Sequence, residues 1–528
     1  MKGRVFEQVF PFLARGFIEH AQCNGTTVED SPENTTHQSQ PQTGSASLPT
    51  HQVFQGTLTF LYRLLFVLYA EARDLLPVRE QGGYFEHSLN RLKHEVRDKA
   101  GLDVEQVEAR LATAYSKTET TLYERLSELF AAIDTGRPAL NLPTYNGGLF
   151  LIDPADDDRT DEAQHGRFLR DYKIPDYYLA CGLDLLARDE DPKTKALVFI
   201  DYKSLGVRQL GSIYEGLLEF RVRIAPETMA VVKGKKTEEV VPLKEARRQK
   251  LPILKAGRGK DASERTLPKG AVYLENDRRE RKATGSYYTP DYIVKYIIEH
   301  TVGPVLKEKF EQVTPRLREA QKAYRQRIRN NEAVRKQGNE PLPGHNPKLV
   351  AQSFRDAVDE LFDVKVLDPA MGSGHFLVEA VDFITDKTID FLNGFPWNPV
   401  TATLNQTRDA ILGEMRKKEV NLNPARLTDI NLLKRHVLKR CIYGVDLNPM
   451  AVELAKVSLW LDCFTLGAPL SFLDHHLKCG NSLIGAKVAE VRRAVGESTV
   501  KGHTQLDLSA PASPACSAPR RSCAAWAS

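Results

Sequence analysis

The sequence is poor in cysteine, and its cysteines are not spaced to build a structural site. The seven are Cys23, Cys181, Cys441, Cys463, Cys479, Cys516 and Cys523. No two form a Cys-x-x-Cys arrangement, which argues against a zinc ribbon and against a disulfide framework. Scattered cysteines are typical of proteins from a reducing compartment. We therefore expect a cytoplasmic location and no metal site.

Long hydrophobic runs are also missing. The most apolar stretch, from Leu58 to Ala70, covers about 13 residues and contains Arg63, whereas a membrane-spanning helix needs roughly 20 apolar residues. The first residues lack the apolar segment and cleavage site of a secretory signal. The stretch is therefore predicted to be a buried helix, and no membrane partner is expected.

A strong net charge is the third missing feature. The formal charge is +4 over 528 residues, and the 41% of hydrophobic and 27% of charged residues are ordinary for a soluble globular protein. Any nucleic-acid contact must then be local. Residues 307–348 hold 11 Lys or Arg and 5 Glu, a local charge of +6. The first interpretation of this segment is a solvated helix, and the second is contact with a phosphate backbone.

A chain of this length is expected to form two or three domains. Residues 1–225 are predicted to form a mainly α-helical N-terminal region, with 24–50 as a polar, mobile loop and 196–200 as a candidate strand. Residues 226–284 alternate short β-rich pieces with basic runs, which indicates a β-rich basic connector. Its strand candidates are Met229–Val232, Val240–Val241 and Ala271–Leu274, and a helix is predicted over Tyr292–Lys309.

Residues 285–486 follow a rhythm of strand, glycine turn, helix, insertion, strand and helix. This alternation favours a parallel sheet with helices on its faces, which is the α/β Rossmann-like class. Strands are predicted at Val364–Leu367 and Cys441–Asp446, with an insertion at 385–440 between them and a third strand end near Lys478. Residues 487–528 show no periodic element and are predicted to be a disordered or aberrant tail.

The glycine turn carries the strongest chemical signal. Residues 368–376 read Asp-Pro-Ala-Met-Gly-Ser-Gly-His-Phe. Glycines let the backbone approach a ligand closely, and the amides at a helix start can receive a carboxylate. Asp368 can pair with a cationic group of the same ligand. This describes an amino-acid moiety better than a pyrophosphate, and the string departs from the Gly-x-Gly-x-x-Gly pattern of dinucleotide sites.

Two further polar residues follow predicted strands. Asp446, at the end of the second strand, can bind the ribose hydroxyls of an adenosine, or it can cap the next helix. Its distance in sequence from Asp368 exceeds the roughly 20 residues of a compact nucleotide-binding unit, which is why the insertion is needed. Asn481 could recognise an adenine edge, or simply form a turn.

These strings, with Gly285-Ser286-Tyr287-Tyr288-Thr289-Pro290 upstream, resemble the γ-class N6-adenine DNA methyltransferases. That class includes large type II restriction–modification proteins and BREX- and DISARM-like phage-defence methylases. The upstream string looks like the family's first cofactor motif, which precedes the glycine motif in the γ class as it does here. The resemblance is strong across residues 283–485. It is weaker across 53–77, 141–150 and 201–219, which look like the family's helical N-terminal region.

The resemblance implies an S-adenosylmethionine-dependent adenine methyltransferase that acts on double-stranded DNA in a restriction–modification or phage-defence system. Thr289 and Pro290 would lie against the methionine part of the cofactor, with Tyr288 nearby. The implied cofactor-binding residues are Tyr288, Thr289, Pro290, Asp368, Pro369, Ala370, Gly372, Gly374, Phe376, Asp446 and Asn481. Asp368 would approach the amino-acid end and Asp446 the ribose. Asn481 would face the adenine, where many relatives have an Asp.

The family's catalytic loop, Asn/Asp-Pro-Pro-Tyr/Phe, is absent from the sequence. Asn398-Pro399, Asn423-Pro424 and Asn448-Pro449 lack the second proline and the aromatic residue, and they precede the third strand. No catalytic residue is therefore predicted, and the methyltransferase domain is expected to be incomplete and inactive alone. An interrupted gene is the first explanation. A second chain that carries the loop and the target-recognition domain is the other.

Two other functions fit parts of the sequence. The strings Pro175-Asp176 and Asp201-Tyr202-Lys203 are loosely similar to the metal-binding pattern of a nuclease. A nuclease site would make the chain a methyltransferase–nuclease fusion fragment. The simpler interpretation is that these are salt-bridged surface residues. A non-catalytic subunit that binds the cofactor or DNA is the second alternative. A methyltransferase for RNA or protein is disfavoured by the order of the two cofactor motifs.

Overall fold

The computed structural model describes most of the chain in segments separated by gaps. These segments are residues 4–30, 47–80, 83–145, 148–158, 160–191, 193–204, 220–233, 238–256, 263–276, 289–342, 345–421, 423–463 and 473–484. The chain divides into two compact units, Met1–Cys479 and Gly480–Ser528. The string Gly285–Tyr288, most of the predicted loop 24–50 and the predicted tail 487–528 lie outside the described residues.

Helices build the first part of the chain. They are α1 (Phe10–Cys23), α2 (Thr50–Ala72), α3 (Tyr84–His87), α4 (Leu89–Ala100), α5 (Val107–Ala114), α6 (Thr121–Thr135), α7 (Asp161–Asp171) and α8 (Asp176–Ala187). Short strands β1 (Thr27–Glu29) and β2 (Ser47–Pro49) pair in parallel within the segment expected to be a loop. Strands β3 (Arg188–Glu190) and β4 (Leu197–Phe199) form an antiparallel pair, so the strand candidate at 196–200 is confirmed. Val5–Val9 forms a π-helix, and Pro138–Leu140, Gly148–Phe150, Pro347–Leu349 and Pro424–Arg426 are 3-10 turns.

Helix α2 is the central helix of this region, and the prediction of a buried helix at 58–70 is confirmed. Among the described residues it alone is long and apolar enough to cross a membrane, with a mean hydropathy of 1.4, but 89% of that window is buried inside the protein. Arg63 lies within this apolar surround. Its guanidinium donates to the carbonyl oxygens of Leu149 at 2.7 Å and Leu151 at 2.9 Å, which satisfies the buried charge.

The connector contains strands on both sides of its predicted start at residue 226. They are β5 (Phe220–Ile224), β6 (Met229–Lys233), β7 (Glu238–Pro242), β8 (Lys255–Ala256), β9 (Ser263–Glu264), β10 (Thr266–Leu267) and β11 (Val272–Asn276), with the short helix α9 (Leu243–Arg248). The three predicted strand pieces are confirmed in β6, β7 and β11. Strand β5 was not predicted; it pairs with β11 in an antiparallel ladder.

The next helix, α10, runs from Asp291 to Lys336, so the predicted end at Lys309 is wrong. Pro304 and Pro315 lie inside it. A proline inside a helix removes a backbone hydrogen bond and costs about 3 kcal/mol. The helix nevertheless continues because Val313, between the two prolines, and Leu317, beyond both, keep one face against the core. The positively charged segment that follows Lys309 is therefore a regular helix over most of its length.

The remaining elements build a small parallel sheet and its helices. They are α11 (Val350–Ser353), α12 (Arg355–Leu361), β12 (Val366–Asp368), α13 (His375–Leu392), α14 (Pro399–Lys417), α15 (Asp429–Cys441), β13 (Ile442–Asp446), α16 (Pro449–Asp462), α17 (Leu473–His476) and β14 (Leu477–Cys479). Strand β13 is in the middle, with β12 and β14 parallel to it on either side. The predicted insertion 385–440 holds the end of α13 and then α14 and α15. Three strands are too few to establish the Rossmann-like class, which stays a prediction.

One hydrophobic core joins the N-terminal helices to this sheet. The buried cluster contains residues of α2 and α6 together with residues of α13, β13 and α16. At the junction Phe66 of α2 stacks on Trp460 of α16, with ring centroids 4.1 Å apart. Tyr145 meets the same indole edge-on at 6.0 Å. The helical region thus covers one side of the sheet's last large helix.

Candidate cofactor site

The carboxyl ends of the parallel strands bring the main predicted residues together. Asp368 ends β12 and pairs in register with Gly444 of β13, so Asp446 lies two residues further along the same edge. In open α/β sheets, ligands bind at this edge, outside the carboxyl ends of the strands. The two acids predicted from separate strand ends therefore occupy one end of one sheet.

The glycine turn follows β12 directly and folds onto the end of β13. The amide of Met371 donates to the carbonyl of Val445 at 3.0 Å, and the amide of Gly372 donates to Oδ2 of Asp446 at 2.9 Å. Gly372 and Gly374 have φ values of 53° and 81°, in the left-handed region that favours glycine. These two positions explain why the turn needs glycine.

Asp446 is held by two backbone amides. Its second oxygen, Oδ1, accepts from the amide of Asn448 at 2.9 Å, just before α16 begins at Pro449. The bond from Asn448 agrees with the capping interpretation, and the bond from Gly372 holds the glycine turn against the same carboxylate. The ribose-binding role of Asp446 stays a prediction. A carboxylate offers about four acceptor sites, so two are available for ligand hydroxyls.

Asp368 lies beside this arrangement and has a perturbed acidity. Its Oδ1 accepts from the amide of Ala370 at 3.0 Å. Burial raises the pKa of Asp368, and the nearby negative charge of Asp446 raises it further, although the Ala370 amide acts in the opposite direction. Two carboxylates close enough to repel each other favour a positively charged ligand, because a cation between them would relieve that repulsion.

An interaction that was not predicted connects the upstream motif to the glycine turn. Nε2 of His375, the first residue of α13, lies 3.0 Å from Oδ1 of Asp291, the first residue of α10. The imidazole must be the donor, since a carboxylate only accepts. Thr289 and Pro290 immediately precede Asp291, so this contact brings them to the glycine turn. Tyr288 lies outside the described residues.

An apolar cleft of about 420 Å³ runs between α10 and the outer side of β12. Its lining includes Phe376, Pro369, Asp368, Leu367, Ile297 and Val305. Leu367 is 59% exposed there, and no strand pairs with this side of β12 in the part of the chain that the structure describes. Phe376 and Pro369, both among the predicted cofactor-binding residues, therefore line this cleft.

Asn481 belongs to the second unit, Gly480–Ser528, of which only residues 480–484 are described. Its side-chain oxygen accepts from the amide of Leu483 at 2.9 Å, and its carbonyl accepts from Ile484 at 3.2 Å. This is the local turn that the simpler interpretation predicts. Its role toward an adenine stays a prediction.

The residues of the nuclease alternative have structural partners. Asp176 is buried and accepts from the amide of Leu122 at 2.8 Å, near the start of α6. Asp201 is exposed and closes a turn by accepting from the amides of Lys203 and Ser204. Within the described ranges, no group of three or more His, Cys, Asp or Glu side chains is placed to hold a metal ion.

The geometry defines a class of site: a glycine turn and two carboxylates at the carboxyl edge of a parallel sheet, suited to a cationic or hydroxyl-bearing small molecule. No family model matches the chain. A segment of 214 residues, 39% of this chain, is 28% identical to a protein of Methanocaldococcus jannaschii provisionally named type II restriction enzyme and methyltransferase RM.MjaORFECS2P. The match covers 15% of that protein's length. The similarity relates part of this chain to a restriction–modification protein.

Proposed function

We propose that this chain is the S-adenosylmethionine-binding part of a DNA adenine-N6 methyltransferase from a restriction–modification or phage-defence system. The observation that carries the proposal is the meeting of Asp368, Asp446 and the glycine turn at one sheet edge. The named relative supports the restriction–modification context, and its name includes methyltransferase. Adenine as the target and phage defence as the setting rest on the motif resemblance.

The acidic edge fits the charges of this cofactor. S-adenosylmethionine carries a sulfonium, an ammonium and a carboxylate, and it supplies an electrophilic methyl group when bound. The carboxylate of Asp368 accepts one hydrogen bond, from the Ala370 amide, and its other acceptor sites can receive the ammonium. Asp446 keeps acceptor sites for two ribose hydroxyls while it remains bonded to Gly372 and Asn448.

Positioning is the contribution that these residues make to methyl transfer. The contact between Asp291 and His375 fixes the segment that begins α10 against the segment that begins α13. Holding a reactant in one orientation converts binding energy into rate, because less entropy is lost at the reaction step. Thr289 and Pro290 would contribute to this by lying against the methionine part of the cofactor.

The groups that would hold a flipped adenine must come from elsewhere, because the sequence has no Asn-Pro-Pro-Tyr string. Double-stranded DNA is the proposed substrate, and a second polypeptide carrying that loop is the proposed partner. We expect this chain alone to bind the cofactor weakly and to transfer no methyl group.

Ultraviolet crosslinking with tritium-labelled S-adenosylmethionine tests the binding. We expect labelling of the chain that S-adenosylhomocysteine abolishes and NAD does not, and that Asp446→Asn reduces at least tenfold. Asp359→Asn, on α12, is the control because it removes a half-buried carboxylate whose partner is Arg440. Labelling that survives S-adenosylhomocysteine, or is displaced by NAD, would refute the cofactor assignment.

A non-catalytic subunit that binds the cofactor or DNA is the second candidate, and the missing catalytic loop favours it. A transfer assay on unmethylated plasmid DNA separates the two. Tritium should enter adenine only when a polypeptide carrying the Asn-Pro-Pro-Tyr loop is added. No incorporation with any such partner would favour the non-catalytic subunit, and incorporation by the chain alone would show that the missing loop is not required.

A further inference from the structure

The second half of α10 carries a line of positive charge, here called the basic stripe. Its members are Arg318, Lys322, Arg325, Arg329 and Lys336. They are separated by four, three, four and seven residues, so at 3.6 residues per turn they lie on one face of the helix. All of them are exposed. Glu332 is the single carboxylate that falls on the same face between Arg318 and Lys336.

The opposite face of α10 fixes the direction in which the basic stripe points. Leu317, Ala320 and Asn331 are buried on that face. The side-chain Nδ2 of Asn331 donates to the backbone carbonyl of His345 at 2.9 Å. Tyr324 stacks on Trp397, with ring centroids 4.1 Å apart. The helix is thus attached to the protein along the length that carries the charges, and the basic stripe faces away from it.

The charges of the basic stripe are not neutralised within the protein. None of its five side chains forms an ion pair with any residue that the structure describes, whereas Arg316 on the attached face pairs with Asp356 and Glu360. A solvated helix usually gains from Glu and Lys placed three or four residues apart. From Arg318 to Arg329 the consecutive neighbours are like charges three or four residues apart, which oppose helix formation by about 0.2–0.5 kcal/mol for each pair. Over these three turns the arrangement therefore costs helix stability; Glu332 is the opposite charge between Arg329 and Lys336.

We infer that the basic stripe binds the phosphate backbone of double-stranded DNA, outside the cofactor site. From Arg318 to Lys336 the helix rises about 27 Å, with a charge roughly every 5 Å over its first three turns. B-DNA carries one phosphate charge per about 1.7 Å of axis, counted over both strands, so a duplex alongside the helix presents a dense negative charge along the whole basic stripe. The choice of DNA as the polyanion rests on the proposed function.

Salt-dependent binding tests this inference with the full chain. The stripe variant is Arg318→Gln, Lys322→Gln, Arg325→Gln and Arg329→Gln together; glutamine retains helix propensity. The control variant loses the same charge from exposed positions of the N-terminal region: Lys99→Gln, Arg110→Gln, Arg137→Gln and Lys193→Gln. Fluorescence anisotropy with a labelled 25-base-pair duplex gives the dissociation constant from 50 to 300 mM KCl. Circular dichroism melts check that both variants fold.

Each phosphate contact contributes about 0.9 to the slope of log K against log salt. The stripe variant removes four charges, so we expect it to lower the magnitude of that slope by about 3.6 and to weaken binding at least tenfold at 150 mM, while the control variant stays within twofold of the wild type. Equal binding by the two variants would overturn the inference. Tighter binding of duplex RNA than of duplex DNA by the wild type would overturn the choice of partner.

Failure of this inference is distinguishable from failure of the proposed function. If the stripe variant binds DNA like the control but the wild type still crosslinks to S-adenosylmethionine, only the inference about the basic stripe is wrong. If the basic stripe governs DNA binding but no cofactor is bound, the inference stands and the methyltransferase proposal is wrong.

Discussion

Gly444, in the middle strand of the sheet, has no room for a side chain. A Cβ there would lie 2.2 Å from Sδ of Met371 and 2.8 Å from Cδ1 of Leu377, and both side chains are buried. We predict that Gly444→Ala destabilises the protein by about 1–3 kcal/mol because the buried side chains of Met371 and Leu377 must shift. Gly413→Ala is the control, since nothing lies within 4 Å of that Cβ in α14 and alanine stabilises a helix by about 0.5–1 kcal/mol. Urea denaturation that ranks the two variants equally would contradict the packing described.

The ionised side chain of Asp368 destabilises the folded protein at neutral pH. Because burial and Asp446 raise its pKa, the folded state binds a proton at this group more tightly than the unfolded state does. Asp368→Asn should therefore increase the free energy of unfolding at pH 7 and leave it unchanged below the unfolded pKa. The same substitution should weaken S-adenosylmethionine at least tenfold, and the wild type should lose affinity as the pH falls through the raised pKa. A variant that loses stability at pH 7 would contradict this account.

Single residues of the site were predictable where a local string carries them. Asp368, Gly372, Gly374 and Asp446 follow from strand ends and a glycine turn, and the structure places them together. The contact between Asp291 and His375 was not predictable, because its two residues are 84 positions apart. The only available signal was that each residue adjoins or belongs to a cofactor string. The part of the site that includes Tyr288 stays a prediction.

At the scale of elements, α16 is anchored by Lys456. Its ammonium lies 2.6 Å from Glu453, 2.7 Å from Asp474 and 3.3 Å from Glu162 of α7, so it joins the helical region to the sheet. Burial raises the pKa of Glu453 to about 7, although Lys456 acts in the opposite direction. The positive charge therefore holds a set of partly buried carboxylates that repel one another.

We predict that Lys456→Met destabilises the protein by about 3–5 kcal/mol at pH 8, because it leaves buried carboxylates without a counter-charge. The loss should shrink toward pH 5, because Glu453 is then protonated in the folded protein and protonation costs less free energy than at pH 8. Lys417→Met is the matched control. Lys417 is exposed, and its one ion pair with a described residue is with Glu414 on the same helix, so the change should stay within about 0.5 kcal/mol. A loss for Lys456→Met that is independent of pH would point to packing instead of charge.

Elements were predictable where the apolar pattern is regular and less so where packing overrides local preference. The buried helix at 58–70 and the strands of the connector follow directly from their patterns. The end of α10 did not, because the predicted helix stopped at Lys309 and the charged segment 307–348 was interpreted separately, as a solvated helix or a phosphate contact. Contacts distant in sequence keep one helix continuous to Lys336. Strand β5 was missed because its partner, β11, lies about 50 residues further along the chain.

At the scale of the whole molecule, the shared core predicts that the helical region and the sheet unfold together. Trp460 is buried against Phe66 and Tyr145 of the N-terminal region. We predict that Trp460→Ala costs about 3–5 kcal/mol and lowers the melting temperature of both regions equally. In the wild type and in the variant, the melt followed by circular dichroism should coincide with the loss of hydrogen-exchange protection in α2, measured on the intact protein. An α2 that remains protected after the sheet has exchanged would show two independent domains.

The sequence alone could not reveal this shared core, since the composition change near residue 225 suggests a boundary. Apolar residues identify what is buried, but they do not say against which other element it is buried. The Rossmann-like class and the domain limits therefore remain predictions, while the order and direction of the three strands are observed. The similarity to a restriction–modification protein concerns 39% of the chain and leaves its activity open to experiment.

Isothermal titration calorimetry of the full chain with S-adenosylmethionine tests the central claim most directly. We predict saturable binding with one site per chain, weak in the wild type and at least tenfold weaker in Asp446→Asn, while Asp359→Asn matches the wild type. Absence of any binding heat with the folded wild type at millimolar cofactor, or equal affinity in Asp446→Asn, would contradict the claim that the glycine turn and the acidic sheet edge form the cofactor site.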